Sequence, residues 1–266
     1  MPPPEMPSSP SVNVRTVART VWLFTWLWMD LLFFVLVLGP YLWVASRTFD
    51  RQRRRARAWV RRLYRHFLRG YCTPRGMLTV DAFDWSRTNG PCILVANHQS
   101  MLDVIMMMQL PIDARCWAKE WPFKIPLLGI LMRLSGHLFI EDFNILPDST
   151  DVLADDVSLY VFPESTRSRT GKMGRFHDGA FLVAARTGRP IVPVAIHGTF
   201  ECFKPDQMWI RRAALRIEPL GVLWPDKNDP RAHIALKRHA HELIAQALNQ
   251  GAAARVETHE PLLKAS

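Results

Sequence analysis

The chain contains 266 residues, enough for one sizeable domain whose core needs no disulfides, and its four cysteines form no CxxC pair. This pattern excludes a disulfide framework or a cysteine-rich zinc site and indicates buried thiols in a reducing compartment. The net charge of +10 comes from the first 75 residues, which carry 13 of 34 Lys and Arg but three of 24 Asp and Glu. Because this charge abuts an apolar segment, it favours a membrane surface over nucleic acid as the partner.

The N-terminal region begins with residues 1–13, which are rich in Pro and Ser and are predicted to be disordered. Residues 21–46 are strongly apolar and long enough to cross a bilayer, which takes about 20 such residues. Asp30 lies in the middle of this stretch, where lipid disfavours a charge, and Gly39 with Pro40 would break a helix. A single span, a hairpin dipping into one leaflet and a buried helix therefore all remain open.

An Arg-rich stretch, residues 47–70, follows the apolar segment. Trp59, Leu63 and Phe67 recur at every fourth position, so a helix here has one apolar face and is basic elsewhere. The pattern predicts an amphipathic helix at a membrane surface that attracts anionic headgroups, with a solvated basic face as the alternative. Residues 14–75 are thus interpreted as membrane-anchoring helices.

From residue 76 the pattern changes to short β-rich runs separated by helical stretches. The runs are LTVDAF, CILVANH, ARCWAK, GHLFIE, SLYVFPE, PIVPVAIHG and ALRIEPLG, and the helical stretches are MLDVIMMMQL, FKIPLLGILMRLS and GAFLVAARTG. This alternation predicts an α/β domain over residues 76–250, with a mixed, largely buried β-sheet flanked by helices. A final helix is predicted to end at Gly251, which leaves residues 251–266 as a loose tail.

The stretch NHQSMLD, residues 97–103, follows an apolar run and contains His98 and Asp103. On a continuous helix these two side chains point about 140° apart, because five residues turn the chain by about 500°. They can meet if His98 lies in the turn before the helix and Asp103 in its first turn. Ser100 and Asp103 also resemble a capping box, which explains both residues but leaves His98 unexplained. A helix cap and a functional pair are both open at this point.

A histidine beside a carboxylate is a general base when the carboxylate fixes its tautomer and stabilises the imidazolium. The chain has no G-x-S-x-G motif, so Ser100 is a poor candidate for an esterase nucleophile. No second histidine or acid stands at zinc-binding spacing near His98, so no metal is predicted. A His/Asp pair without its own nucleophile suggests a base that activates a hydroxyl group of the substrate.

Three further blocks give this H-x-x-x-x-D motif a context. They are AKEWPFKIPLLG (118–129) running on to GHLFIED (136–142), FPESTRS (162–168) and IVPVAIHG (191–198). With NHQSMLD, they form a series over about residues 76–220 that resembles the glycerolipid acyltransferases, most closely the 1-acylglycerol-3-phosphate (lysophosphatidic acid) acyltransferases. The resemblance implies transfer of an acyl group from acyl-CoA or acyl carrier protein, as co-substrate without another cofactor, to the sn-2 hydroxyl of 1-acylglycerol-3-phosphate, forming phosphatidic acid.

The resemblance also implies roles for individual residues. His98 is the general base, and Asp103 orients it. Arg167 binds the acceptor phosphate, with which a guanidinium pairs bidentately. The other substrate-binding candidates are Glu164 and Thr166, which shape that loop or hold the glycerol, Lys119, and Pro193. Pro193 is either a wall of the acyl-binding region or a strand-edge proline.

The chain departs from the family pattern at several positions. Ser165 replaces the glycine of the usual E-G-T-R, and Asp142 stands where the family has an arginine associated with the acceptor phosphate. The lysines that often precede the Gly-Ala pair are absent, although Lys172 and Arg175 lie nearby. These departures keep two alternatives open: O-acylation of a different lysolipid, such as lyso-ornithine lipid, and a catalytically silent membrane adaptor.

The resemblance gives the N-terminal region a purpose, because the acceptor lies in a bilayer and the active site must be held at its surface. The expected partners are membrane lipids, the lysophospholipid acceptor and acyl-CoA or acyl carrier protein, and not nucleic acid. The arginines of residues 47–70 place the catalytic domain on the cytoplasmic face by the positive-inside rule. We therefore expect a membrane location, interpreted as a bacterial inner membrane.

Overall fold

The computed structural model describes residues 13–33, 36–37, 40, 50–72, 77–141 and 157–259. Most of the predicted disordered segment, residues 1–12, lies outside these ranges, as do Asp142 and the last seven residues of the predicted tail.

A seven-stranded sheet forms the centre of the domain. Its strands are β1 (Leu78–Val80), β2 (Ile93–Ala96), β3 (Ala114–Ala118), β4 (Leu138–Phe139), β5 (Ser158–Val161), β6 (Ile191–His197) and β7 (Leu215–Pro219). Their spatial order is β1-β7-β6-β2-β5-β3-β4, and all neighbours are parallel except β6 and β7. Each predicted β-rich run contains one strand, so the mixed α/β sheet is confirmed.

Helices cover both faces of this sheet. They are α1 (Val14–Phe33), α2 (Asp50–Cys72), α3 (Leu102–Met107), α4 (Trp121–Lys124), α5 (Leu128–Leu134), α6 (Gly179–Thr187), α7 (Thr199–Cys202) and α8 (Ala232–His259). On one face α1, α2 and α3 pack against Leu94 and Ala96 of β2. On the other face α6 and α8 pack against Ile93 and Val95 of the same strand. The central strand is therefore apolar on both sides, as is usual for parallel sheets.

Helix α1 begins at Val14, seven residues before the predicted apolar stretch, because the side chain of Asn13 accepts a hydrogen bond from the Thr16 backbone N–H at 2.9 Å. Leu23 and Leu31 are buried against the domain. Within the described ranges, no helix combines the length and apolarity that crossing a membrane requires.

Asp30, which complicates a simple membrane span, lies beside α2 in the structure. Burial raises the pKa of its carboxyl, while the charge of His66 and a hydrogen bond with Trp26 lower it. The Trp26 and His66 rings meet edge to face with centroids 5.4 Å apart. The acid thus belongs to the contact between α1 and α2.

Helix α2 docks on the domain through a face that is shifted from the one the sequence predicts. Val60, Tyr64 and Leu68 are buried, whereas Trp59 of the predicted apolar stripe is 43% exposed. Leu63 of the predicted stripe is half-buried and packs against the core, so the buried face overlaps the predicted one but is shifted by one residue.

Several arginines of α2 bind the protein itself. Arg57 is 2% exposed, and its guanidinium donates two hydrogen bonds of 2.9 Å to the two carboxylate oxygens of Asp113. Arg61 and Arg65 donate to backbone carbonyls within residues 109–112, just beyond the carboxyl end of α3. These three arginines therefore fix α2 to residues 109–113, the segment that follows α3, and do not form a free basic face.

Helix α8 does not end at Gly251 as predicted but continues to His259. Three alanines follow the glycine and favour a helix, which offsets the cost of about 1 kcal/mol for glycine inside a helix. Gly251 also lies against His197, since a Cβ there would be 2.7 Å from the imidazole Nδ1. The glycine therefore permits a close packing contact, and the predicted loose tail is wrong for residues 251–259.

His137, next to β4, generates a prediction about acid stability. Its Nδ1 accepts a hydrogen bond from the Cys116 backbone N–H at 2.8 Å. Burial is the largest cause that lowers the pKa of His137 from 6.5 to about 3; the charges of Arg57 and Arg115 contribute to this shift, and the charge of Asp113 opposes it. The neutral form is thus favoured in the folded protein, and stability present above pH 6.5 is lost as the unfolded chain takes up a proton.

We expect the free energy of unfolding to fall below pH 6.5 by up to about 1.4 kcal/mol per pH unit from this group. His137→Gln keeps an acceptor for the Cys116 N–H and removes the proton uptake. Urea denaturation between pH 7 and 4.5 should give a shallower acid dependence for this variant than for the wild type. Equal slopes for the two proteins would contradict the assignment.

Candidate active site

The parallel pairing of two strands brings the NHQSMLD and FPESTRS segments together. Strands β2 and β5 are parallel neighbours, so the residues after their carboxyl ends lie at the same edge of the sheet. The Asn97 side chain extends the β2–β6 pairing by donating to the Ile196 carbonyl at 3.0 Å and accepting from the Ile196 N–H at 2.8 Å. The following residue, His98, is thereby held at this edge.

His98 lies in the turn between β2 and α3, and Asp103 lies in the first turn of α3. The imidazole Nδ1 and Asp103 Oδ2 are 2.9 Å apart. The same Oδ2 accepts the backbone N–H groups of Gln99 at 2.6 Å and Ser100 at 2.7 Å. The hydroxyl of Ser100 accepts the Leu102 N–H at 3.2 Å, so Ser100 and Asp103 each bind a backbone N–H at the start of the helix, but the predicted capping box is formed only in part because the Ser100 hydroxyl binds the N–H of Leu102 and not that of Asp103. The cap and the His/Asp contact are therefore built from the same carboxylate.

This arrangement fixes the orientation of the imidazole. Because an ionised carboxylate can only accept hydrogen bonds, Nδ1 carries the proton that faces Asp103 and the lone pair lies on Nε2. The ring stacks on Phe162 with centroids 4.2 Å apart and an interplanar angle of 20°. The His98 side chain is 15% exposed, whereas Asp103 is completely buried. Chemically, such a histidine can take a proton from a hydroxyl group brought to Nε2.

The turn after β5 is hydrogen-bonded to the backbone of His98. Glu164 is 7% exposed, and its two carboxylate oxygens accept the N–H of His98 at 2.8 Å and of Gly174 at 2.7 Å. The Ser168 N–H donates to the His98 carbonyl at 2.8 Å. Burial raises the pKa of Glu164, and the hydrogen bonds from the backbone N–H groups of His98 and Gly174 oppose the rise. Glu164 thus joins the turn after β5 to the backbone at His98 and to the backbone at Gly174.

The other predicted substrate-binding residues occupy different surroundings. Lys119 lines the same cavity as His98. Thr166 is exposed, and Arg167 is half-buried with no carboxylate partner in the described part of the chain. These three residues and Glu164 surround the carboxyl ends of β2, β3 and β5.

Pro193 lies in β6, an interior strand, and is buried. It is neither a strand-edge proline nor one of the residues lining the cavity. Between the pairs Val194–Pro219 and Ile191–Leu223, β6 advances three residues while the opposing chain advances four. Pro193 therefore sits at a β-bulge, where a missing N–H is tolerated.

An apolar cavity of about 420 Å³ opens at His98. Its described polar lining is small and comprises Tyr64, His98, Lys119 and Ser165. Helix α1 contributes Leu23, Phe24, Leu27, Trp28 and Leu31. Sequence reasoning did not predict that the N-terminal apolar segment lines the site, because its hydropathy fits lipid and a cavity equally well. Phe162, which supports the imidazole, was also missed, although it begins the FPESTRS block.

Comparison with known proteins gives a consistent result. The Acyltransferase family profile matches residues 78–197. A 1-acyl-sn-glycerol-3-phosphate acyltransferase of Chlamydomonas reinhardtii is 31% identical over 240 residues, which cover 86% of this chain and 70% of that protein. A chloroplastic 1-acyl-sn-glycerol-3-phosphate acyltransferase of Brassica napus is 35% identical over 115 residues, 41% of this chain and 33% of the relative.

The fold is also found among solved structures. The crystal structure of the 1-acyl-sn-glycerophosphate (LPA) acyltransferase from Thermotoga maritima aligns with a TM-score of 0.65 at 19% identity, over 89% of this chain and 98% of that chain.

Glu164→Ala removes the acceptor of two backbone N–H groups, so we expect the free energy of unfolding to fall by about 1–3 kcal/mol. Amide hydrogen exchange should accelerate at His98 and Gly174 in particular. Glu242→Ala, which removes an exposed carboxylate on α8, is the matched control and should change stability by less than about 0.5 kcal/mol. Unchanged exchange at His98 in the Glu164 variant would refute its bridging role.

Proposed function

The chain belongs to the glycerolipid acyltransferase family, and from this premise we propose that it acylates the sn-2 hydroxyl of 1-acylglycerol-3-phosphate to form phosphatidic acid. Acyl-CoA or acyl carrier protein supplies the acyl group as a thioester. The observation that carries the proposal is the His98–Asp103 pair at the mouth of an apolar cavity. A base beside an apolar cavity suits a reaction between a hydroxyl group and a fatty thioester.

In the proposed reaction, the acyl chain occupies the apolar cavity and presents its thioester to His98. The acceptor hydroxyl gives its proton to Nε2 while its oxygen attacks the thioester carbon. The carboxylate of Asp103 stabilises the resulting imidazolium. Collapse of the tetrahedral intermediate breaks the C–S bond, and the departing thiolate takes the proton from His98. The attack is direct and requires no acyl-enzyme.

The acceptor phosphate is assigned to Arg167. Residues 165–177 contain Arg167, Arg169, Lys172 and Arg175 and no acid, so the loop beside His98 is strongly cationic. Arg167 is half-buried and has no carboxylate partner among the described side chains, which leaves its guanidinium available to a phosphate. Lys119 adds a positive charge to the cavity lining.

Asp103→Asn is expected to lower kcat by about 10³–10⁴-fold with little change in KM. Because Oδ2 alone contacts the imidazole and both backbone N–H groups, either the amide oxygen or the amide nitrogen takes its place. The amide oxygen accepts the same N–H groups but carries no charge to stabilise the imidazolium, whereas the amide nitrogen faces Nδ1 as a donor and leaves the backbone N–H groups without an acceptor. The measurement is release of free CoA from acyl-CoA with lysophosphatidic acid as acceptor. Asp226→Asn, an exposed carboxylate far along the chain, is the control. His98→Ala should also abolish turnover, and activity retained in either site variant would sink the base assignment.

A different lysolipid acceptor is the second candidate, because Asp142 occupies the position of a phosphate-associated arginine. A panel containing lysophosphatidic acid, other lysophospholipids and lyso-ornithine lipid separates the two candidates. Strong preference for lysophosphatidic acid would remove the alternative. Absence of CoA release with every acceptor would instead favour a silent adaptor.

We further propose that the protein sits on a membrane surface through α1. Large apolar side chains project outward from this helix: Val21, Trp22, Trp28, Met29, Leu32 and Phe33. Four of them, Val21, Trp28, Met29 and Leu32, line an apolar groove on the surface, and Met208, which is 76% exposed, and Trp209 line the same groove. A contiguous exposed apolar surface of this kind is typical of membrane contact.

Replacing Trp22 and Met29 together by Glu should weaken binding to anionic phospholipid vesicles by at least about 10-fold, since each buried apolar side chain contributes about 1.5–3 kcal/mol. Vesicle co-sedimentation measures this binding. Ile234→Glu is the matched control, because Ile234 is comparably exposed but lies on α8 at the opposite face of the sheet. Equal sedimentation of both variants would argue against seating through α1.

A further inference from the structure

Ser165 has an unusual backbone conformation for a residue with a side chain. Its φ is +59°, in the left-handed region, which costs a non-glycine residue about 1 kcal/mol or more. The Ser165 N–H donates to the Phe162 carbonyl at 3.0 Å, and the Ser168 N–H donates to the His98 carbonyl at 2.8 Å. The surrounding turn thus holds Ser165 in a conformation that glycine would adopt freely.

The Ser165 side chain borders the cavity that contains His98. Glu164, which precedes Ser165, and Ser168, three residues later, both hydrogen-bond to the His98 backbone, so this turn lies against His98 on both sides of Ser165 in sequence. Thr166 and Arg167 are not among the cavity-lining residues. Within residues 164–168, Ser165 is therefore the residue at the cavity wall whose side chain carries a hydrogen-bond donor.

His177 supports this hydroxyl from behind. Its Nε2 lies 3.3 Å from Ser165 Oγ, and its backbone N–H donates to the Pro163 carbonyl at 2.8 Å. His177 does not line the cavity. When Nε2 donates to Oγ, the hydroxyl proton of Ser165 is directed away from His177 and toward the cavity.

We propose that Ser165 is a further catalytic residue, whose hydroxyl donates a hydrogen bond to the thioester oxygen as that oxygen becomes negatively charged, and that His177 is its positioning residue. This inference rests on the proposed acyl transfer. As the acceptor oxygen bonds to the thioester carbon, the electron pair of the C=O bond moves onto oxygen, where the Ser165 hydroxyl stabilises it. When the C–S bond breaks, this electron pair re-forms the C=O bond, and the thiolate leaves with the electrons of the C–S bond. Ser165 forms no covalent bond and transfers no proton.

Two substitutions separate the hydroxyl from the backbone. Ser165→Ala removes the hydroxyl but keeps the free-energy cost of a positive φ for a residue with a Cβ, whereas Ser165→Gly removes both the hydroxyl and that cost. We expect each to lower kcat about 10- to 100-fold, because a side-chain donor to a developing oxyanion acts in the transition state. KM for the acyl donor and for the acceptor should stay within about twofold of wild type. The Gly variant should melt at a temperature equal to or higher than that of the Ala variant.

Thr170→Ala removes an exposed hydroxyl from the same loop and is the matched control, with unchanged kcat expected. A kcat within twofold of wild type in Ser165→Ala would overturn the proposal. A raised acceptor KM at unchanged kcat would overturn it in favour of a headgroup contact. Loss of kcat in the Ala variant but not in the Gly variant would assign the effect to the backbone.

The role of His177 is tested by non-additivity. His177→Gln should lower kcat by about 3- to 10-fold in the wild type and cause no further loss in the Ser165→Ala background. Additive losses would contradict action through Ser165. These outcomes are distinguishable from failure of the proposed function, because they require a wild-type enzyme that releases CoA in the presence of lysophosphatidic acid.

Discussion

A single buried oxygen atom, Asp103 Oδ2, organises the site. It accepts the backbone N–H groups of Gln99 and Ser100 and contacts the His98 imidazole within 2.9 Å. The two backbone contacts require a helix that begins just after Ser100, and the imidazole contact requires a turn immediately before that helix. The local backbone and the orientation of the imidazole are therefore fixed by the same carboxylate. Helix capping and the orientation of His98 are one arrangement, so a change in either disturbs the other.

The remaining contacts of His98 extend this constraint across the sheet. Its ring rests on Phe162 and its backbone is bound by Glu164 and Ser168, all from the turn after β5. Asn97 joins the preceding residue to β6. Three parallel strands thus contribute to the position of one imidazole, and the precision of that position comes from the sheet rather than from a flexible loop.

The sequence predicted the seven strands and the meeting of His98 with Asp103, because strand patterns and caps are local features. It failed where long-range contacts decide the structure. The inward face of α2 is set by the pairing of Arg57 with Asp113, 56 residues away, which no helical periodicity contains. Helix α8 passes through Gly251 because the glycine packs on His197. The place of Pro193 at a bulge likewise depends on the extra residue in the strand opposite.

Helix α1 presents opposite sides to two apolar environments, the cavity at Leu23 and Leu27 and the exterior at Trp22 and Met29. In the proposed membrane seating, only the thickness of this helix, about 10–12 Å, separates lipid tails from the acyl cavity. A fatty acyl chain then passes from the lipid tails of the membrane into the apolar cavity without crossing water. Arg57 fixes α2 to the domain, and Tyr64 of α2 lines the same cavity as α1. The two N-terminal helices are therefore part of the cavity wall and not only a membrane anchor.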